Sequence, residues 1–337
     1  MAIPNVGADK SMHEAMAAKM QLVLEQPKSD ITTKLVNNDF EGEFFKIGDS
    51  VAICKPDPAS VNVELGALDN GTTPKDQRLA VTDVVFADQR VLHIDKYAKY
   101  AFIISDITKA EGKWNYESGN LDLAAQKIRD AHNTEVCQLL ATDAGIIAQQ
   151  TTDGLDAILG TKAAPIELAN ADELYEKILV QMHTVLYDRG AITADGQVTY
   201  GSNPQEAKQT AGAIFLPRRA YNAFLTSKYF TNRSTQKADD KVETGNIAKV
   251  LGLEVNVEPC LDQKAKRHIT VTGIKDNDTL VIVAGTRNAV TRAGKVLPPD
   301  SFRSTTRFGT EYHGLEIYGQ EIATKEAVVI AFVKMPA

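Results

Sequence analysis

Residues 91–107 read Val91-Leu92-His93-Ile94-Asp95-Lys96-Tyr97-Ala98-Lys99-Tyr100-Ala101-Phe102-Ile103-Ile104-Ser105-Asp106-Ile107. This stretch joins two different kinds of chain. Upstream, residues 47–94 are strand-like. Val51 and Ile53 alternate with small or polar residues, as do Val61, Val63 and Leu65, then Leu79 and Val81, and the pattern runs on through Val84-Val85-Phe86 and Val91-Leu92. Between these runs lies Asp69-Asn70-Gly71-Thr72-Thr73-Pro74. Asn-Gly is a strong hairpin signal, because both residues tolerate positive φ. The pattern predicts a long hairpin with few apolar residues near its tip, which is not stable alone. Downstream, Gly119 to about Ile147 predicts a long helix. Leu121, Ala125, Ile128, His132, Val136, Leu139 and Asp143 fall on one stripe, with Ile128 and Leu139 expected in the core, and Ser118 or Asn120 available as N-cap. At ~1.5 Å per residue such a helix approaches ~40 Å.

Further outward, Ser11 to Gln26 predicts a short amphipathic helix on Met12, Met16, Met20 and Val23, stopped by Pro27. A polar connection then runs to about Phe45. It reads as an arm, too poor in apolar residues to fold alone. Towards the C-terminus a second helix is delimited by Asn170 as N-cap with Glu173 three residues on, and by Gly190 beyond its end. Leu174, Ile178, Met182 and Val185 form its apolar face. Residues 212–216 predict a buried strand ended by Pro217, with a helix following on Ala220, Tyr221, Phe224 and Leu225. Leu253, Val255 and Val257 alternate as a strand. Leu280 to Ala284 and Val328 to Val333 are apolar strands, and Leu315 and Ile317 belong to another. There is no internal repeat, and the class is α+β.

With 337 residues, the chain has length for about two domains and a sizeable core. Its 43% hydrophobic and 24% charged residues exclude collagen-like and wholly disordered chains. A net charge of −7 makes it a poor partner for phosphate backbones. Cys54, Cys137 and Cys260, odd in number and widely spaced, form neither a disulfide framework nor a zinc site, and read as buried reduced thiols. The longest apolar run, Ala327 to Val333, falls far short of the ~20 residues a bilayer requires, so no membrane partner is expected. No signal peptide is read at the start, so synthesis in cytoplasm is expected.

Catalytic signatures are sparse. The histidines His13, His93, His132, His183, His268 and His313 include no i, i+4 pair, so the zincin pattern is missing. There is no Gly-rich phosphate loop and no nucleophile elbow. No metal or cofactor site is read. Gly48-Asp49-Ser50 resembles the nucleophile block of GDS-type serine hydrolases, but the expected C-terminal Asp-x-x-His has no counterpart: His313 is preceded by Thr310. Without a base and its orienting carboxylate, Ser50 is an ordinary hydroxyl. The cluster Lys264-Ala265-Lys266-Arg267-His268 reads as a solvated loop rather than a nucleic-acid site.

The order of elements, namely arm, unsupported hairpin, long helix, mixed domain and returning strands, resembles the major capsid proteins of tailed bacteriophages, with the Hong Kong 97-type fold. Asp95, Tyr97 and Phe102 match the family's segment leaving its extended loop, which there precedes a short acidic turn and the spine helix. Gly48-Asp49-Ser50-Val51 resembles the opening of that loop. Leu216 to Leu225 resembles the family's strand-Pro-helix unit, and Gly245-Asn246-Ile247 to Val255 its Gly-x-Ile-x-x-x-x-Gly-x-x-Val block. The likeness covers roughly residues 45–337.

The resemblance implies an N-arm (1–45), an extended loop (46–95), a peripheral domain (96–164 with 296–337) and an axial domain (165–295). It implies a structural protein, not an enzyme, that assembles with itself into hexamers and pentamers. These build an icosahedral shell around packaged double-stranded DNA, held without sequence-specific binding. The location is the virion, after synthesis in host cytoplasm. A portal protein is implied, with decoration proteins as optional partners. Only about 45 residues precede the loop, so scaffolding is expected as a separate protein. The rivals are an encapsulin-type nanocompartment shell of the same fold and, more distantly, the serine hydrolase. The interface candidates are Glu64, Asp69, Lys75, Asp76 and Arg78, charged residues in a loop with few large apolar ones.

Overall fold

The computed structural model describes residues 16–20, 24, 30–38, 50–56, 86–107, 116–197, 212–228, 249–274 and 278–335. Residues 16–20 are helical. Then come α1 (Ile31–Leu35), β1 (Val36–Asn37), β2 (Ser50–Pro56), β3 (Phe86–His93), β4 (Lys96–Ser105), α2 (Tyr116–Thr142), α3 (Ala144–Thr152), α4 (Asp156–Leu159) and β5 (Ile166–Glu167). A π-turn, Leu174–Leu179, runs into α5 (Val180–Asp188), followed by β6 (Ala213–Leu216), α6 (Arg218–Thr226), β7 (Lys249–Val250) and β8 (Leu253–Val257). A 3-10 turn, Pro259–Leu261, precedes β9 (Thr279–Gly285), β10 (Val290–Val296), β11 (Asp300–Arg303) and β12 (Gly309–Ile322), and another, Lys325–Ala327, leads into β13 (Val328–Lys334).

The central layer is a six-stranded sheet in the order β5-β13-β9-β6-β8-β7. Its middle strands are unbroken apolar runs because both faces are covered, so no position needs a polar side chain. Alternate residues divide between two cores. Ile214, Leu216, Ile282, Ala331 and Val333 pack with Leu174, Ile178, Met182 and Phe224. Phe215, Val281, Val283, Ile330 and Phe332 pack on the other side with Ile31, Leu35, Val136, Leu140 and Ile146. Pro217 ends β6 in extended conformation and caps α6, where its missing N–H costs nothing. The Asn170 box is formed: Asn170 Oδ1 accepts the Glu173 N–H at 3.1 Å, and Glu173 Oε2 accepts the Ala169 N–H at 2.9 Å.

The second sheet is built on the fourteen-residue β12. On one side β12 pairs with β10 and β11, and β1 extends β10; on the other it pairs with all of β4, from Gly309↔Ser105 to Tyr318↔Lys96. β2 and β3 pair antiparallel, Ser50 opposite His93, and make the stem of the expected hairpin. Leu92 and Ile94 root that stem in a small core with Ala293 and Ile317.

Two sequence expectations change. The polar connection contains α1 and β1, whose Ile31, Leu35 and Val36 are fully buried. The long helix starts earlier, at Tyr116, and stops at Thr142. There Asp143 leaves helical geometry and its side chain accepts the Ile146 N–H at 2.7 Å, capping a separate α3. Asp143 is therefore a helix break, not a stripe residue. The segment after Ile94 forms a ten-residue strand, β4. Each sheet draws on distant parts of the chain: β13 lies inside the six-stranded sheet beside β9, and β10 lies in the sheet of β12.

Gly319 sits where the hairpin root crosses β12. A Cβ there collides with the His93 carbonyl oxygen and lies 3.2 Å from the Ile94 Cα. Backbone cannot swing aside as a side-chain tip does. Gly319→Ala is therefore expected to cost about 1–3 kcal/mol by overpacking. Denaturant unfolding measures it, and an unchanged midpoint contradicts the contact.

Candidate assembly surface and a buried charge network

Helix α2 lies over both sheets. Leu121, Ala125 and Ile128 pack with Met20, beside Tyr100 and Val296, while Val136, Cys137, Leu140 and Ala141 join the core of the six-stranded sheet. Ile128 is buried and Leu139 packs partly buried, as the stripe predicts. Between the two apolar patches stand His132 and Glu135.

His132 is 2% exposed and meets Arg292 of β10 and Glu316 of β12, both buried. Arg292 Nη1 is 3.0 Å from His132 Nδ1, and its Nη2 forms an ion pair with Glu316. Glu316 Oε2 faces His132 Nε2 at 3.5 Å and has no hydrogen-bond partner. The Tyr318 ring carries Arg292 over its face at 4.8 Å, and its hydroxyl donates to Glu135 Oε2 at 2.6 Å. Glu135 also pairs with Lys96 at 2.7 Å, so α2, β4, β10 and β12 meet in one network. Burial, helped by the Arg292 charge, pushes the His132 pKa down to about 2, so the ring is neutral. The guanidinium lies against both ring nitrogens, with Nη1 3.0 Å from Nδ1 and Nη2 3.3 Å from Nε2. Burial pushes the Glu316 carboxyl up against the pull of Arg292. Burial also pushes the Tyr318 hydroxyl up, and Glu135 adds to it. Groups held this firmly in one protonation state suit a joint rather than proton transfer.

The outer surface is different. The second edge of β4 pairs with no other described strand. Tyr97 on β4, Phe302 on β11, and Ile107 and Phe308 beside them are exposed, Phe308 at 81%. A groove of about 450 Å3 runs along this sheet, lined by Lys99, Tyr100, Leu297, Pro298, Asp300 and His313. Free strand edges and exposed aromatics are a hazard in a monomer and usable area in an assembly.

The five charges read as interface candidates, Glu64, Asp69, Lys75, Asp76 and Arg78, lie outside the described residues, as does the Asn70-Gly71 turn. The structure places their stem and not their contacts. Ser50 starts β2 exposed, opposite the exposed His93. The basic run at 264–268 is occupied within the chain: Lys264 pairs with Asp278, and Arg267 with Asp130 at 2.6 Å. Among the described residues no cluster of His, Cys, Asp or Glu has the arrangement of a metal site. No described helix is long and apolar enough to cross a membrane. The charge network was not foreseen. Its one visible signal was a histidine on an apolar helix stripe, while its partners stand 160 and 183 residues apart in sequence.

No family model matches the chain, and no curated protein matches it by sequence. Solved structures do match. One, from Mycobacterium phage Che8, has a TM-score of 0.55 at 14% identity, covering 89% of this chain and 90% of that one. Another, the capsid of Ralstonia phage GP4, has a TM-score of 0.51 at 11% identity, covering 90% of this chain and 87% of that one. At such identities the likeness concerns fold. The chain has the α+β fold of phage capsid proteins, the Hong Kong 97-type fold its sequence resembles.

Two outcomes follow for the network. Arg292→Met leaves Glu316 buried without its cation and is expected to cost about 3–5 kcal/mol, while Arg292→Met with Glu316→Leu recovers most of that loss. Equal losses in chemical denaturation contradict the pairing. In acid, the unfolded chain protonates His132 below pH ~6.5 while the folded chain does not. Stability therefore falls with pH by up to about 1.4 kcal/mol per unit on this residue's account. Glu316 works the other way, since its folded carboxyl takes its proton at higher pH than the unfolded one. Comparing His132→Gln with the unmutated chain isolates the first term. The variant is expected to lose less stability between pH 6.5 and 5, and identical slopes contradict a neutral buried ring.

Proposed function

We propose that this chain is the major capsid protein of a tailed phage, a structural subunit without enzymatic activity. Copies associate as hexamers and pentamers and close into an icosahedral shell around packaged double-stranded DNA. The observation that carries the reading is the hairpin stem. Leu92 and Ile94 root it on β10 and β12, and it leads into a charged segment with little apolar surface of its own. Such a segment, on a body of this fold, finds its support on a neighbouring subunit. The edge of β4 that pairs with no other described strand and the exposed aromatics around Phe308 are consistent with a body built to be covered. A net charge of −7 suits a container whose wall must not grip the DNA it receives.

On this reading the chain acts in the virion and is made in host cytoplasm. Its partners beyond itself are a portal, a separate scaffolding protein and, where present, decoration proteins. The division into N-arm, extended loop, peripheral and axial domains is proposed by sheet. β10 and β12 go with the peripheral part, and β13 with the axial sheet. The encapsulin reading shares the fold, and no particular residue favours it.

Glu64, Asp69, Lys75, Asp76 and Arg78 are proposed to choose the register of the contact with the neighbour. Exposed ion pairs contribute ~0–1 kcal/mol each, so single substitutions are tolerated. Reversing two charges sets like charges against each other at every copy of the contact. Lys75→Glu with Arg78→Glu is expected to leave the circular dichroism spectrum unchanged and to abolish or misdirect shells in sedimentation velocity. Loss of fold together with assembly places the loop in its own subunit's core. Normal shells place these two charges outside the contact.

A further inference from the structure

The turn between β11 and β12 holds out Phe308, 81% exposed, with the exposed Ile107 nearby. The turn is braced. Arg303 forks on the Asp106 carboxylate at 3.0 and 2.5 Å. The Asp106 N–H donates to the Phe308 carbonyl at 3.2 Å, and the Ser304 N–H donates to the Gly309 carbonyl at 3.0 Å. Ser304 Oγ accepts the Arg307 N–H at 3.2 Å. A turn already held in shape loses little freedom when it docks, and an aromatic ring on it suits the role of an anchor.

The groove on the same sheet suits the role of its pocket. Ala101, Leu297, Pro298 and Leu315 give it apolar walls, in about 450 Å3. Its basic groups have neighbours of their own: Lys99 stands over the Tyr97 ring at 5.9 Å, and His313 is 3.4 Å from Glu311. Asp300, also lining the groove, is exposed, and so is Arg307 beside Phe308. Turn and groove therefore match in apolar surface and in charge. They do not meet on one chain. The turn closes at Gly309, and the groove lies at His313 to Leu315, ~14–20 Å further along β12.

We propose that the Phe308 turn of one chain docks in the groove of a second copy, the ring against Leu297, Pro298 and Leu315, and Arg307 facing Asp300. Each copy gives one turn and receives another, so the contact propagates around a ring or across a surface instead of ending at a dimer. A docked Phe buries ~150–250 Å2, far below the ~800 Å2 per partner of a stable interface, so the contact holds only beside others. It deepens the proposed self-association, and it uses the described body rather than the charged loop.

The test mixes full chain carrying Phe308→p-benzoylphenylalanine with unmutated chain labelled with nitrogen-15, under assembly conditions. The mixture is irradiated and digested. The expected product joins position 308 of the light chain to a heavy peptide containing Leu297 and Pro298, or Leu315. Ala101→Phe in the heavy chain fills the groove from an exposed strand position. It is expected to keep the circular dichroism spectrum and to lower the cross-link yield about tenfold or more. Arg307→Asp in the light chain is expected to lower the yield by up to about fivefold, as for an exposed ion pair, and Asp300→Arg in the heavy chain to restore it. Cross-links only within one chain, cross-links between chains at other surfaces, or no cross-link overturn the proposal. So does a yield indifferent to Ala101→Phe, or one that Asp300→Arg does not restore. Electron microscopy of the unirradiated mixture reads the shell separately: the cross-link without shells upholds the contact, and shells without the cross-link overturn it.

Discussion

A 27-residue helix laid across two sheets must match two surfaces at once, and the rest of the molecule depends on that fit. The N-terminal half of α2 offers Leu121, Ala125 and Ile128 to the layer around β4 and β10, and its C-terminal half offers Val136 and Leu140 to the central sheet. Apolar surface alone sets no register, since a stripe slides by a turn at little cost. The buried joint of His132 and Glu135 with Arg292, Glu316 and Tyr318 does set it, because each displaced charge would be left unpaired in a dry interior. Buried ion pairs contribute little net stability beside apolar groups of the same shape. Their contribution here is position: they fix where α2 sits, and so how the two sheets are joined.

Position matters because the hairpin stem grows from the same joint. Ile94 enters β4 two residues before Lys96, which pairs with Glu135, and Gly319 lets the stem backbone pass over β12 one residue from Tyr318. The direction in which the hairpin leaves the body is thus tied to the network that positions the helix. A subunit that presents a loop to its neighbours needs that direction fixed before assembly, since each error would repeat at every contact.

What the sequence made legible follows from where polarity and burial agree. Residues 213–216, 280–284 and 328–333 are apolar throughout because both faces are covered, and they read as strands without ambiguity. Asn170 and Glu173 announce a helix start chemically, and the box forms. β4 was hidden because its inward Ala98 and Tyr100 differ little in polarity from its outward Tyr97 and Ala101. β10 was hidden because Arg292 faces inward in the run Val290 to Val296. Asp143 falls on the helix stripe by spacing, and only its capping bond shows that the helix has ended. The network could not be read at all beyond His132, since its members come together only when β10 and β12 reach α2. The charged loop was read from composition, and its contacts belong to residues outside those described.

The central claim is that the hairpin finds its support on another copy of the chain. Electron cryomicroscopy of the purified protein's assemblies, traced through residues 57–85, tests it most directly. The account predicts closed icosahedral shells in which that segment of each subunit lies across the body of a neighbour. Particles that never close, or a segment folded back over its own β4 and β12, contradict it.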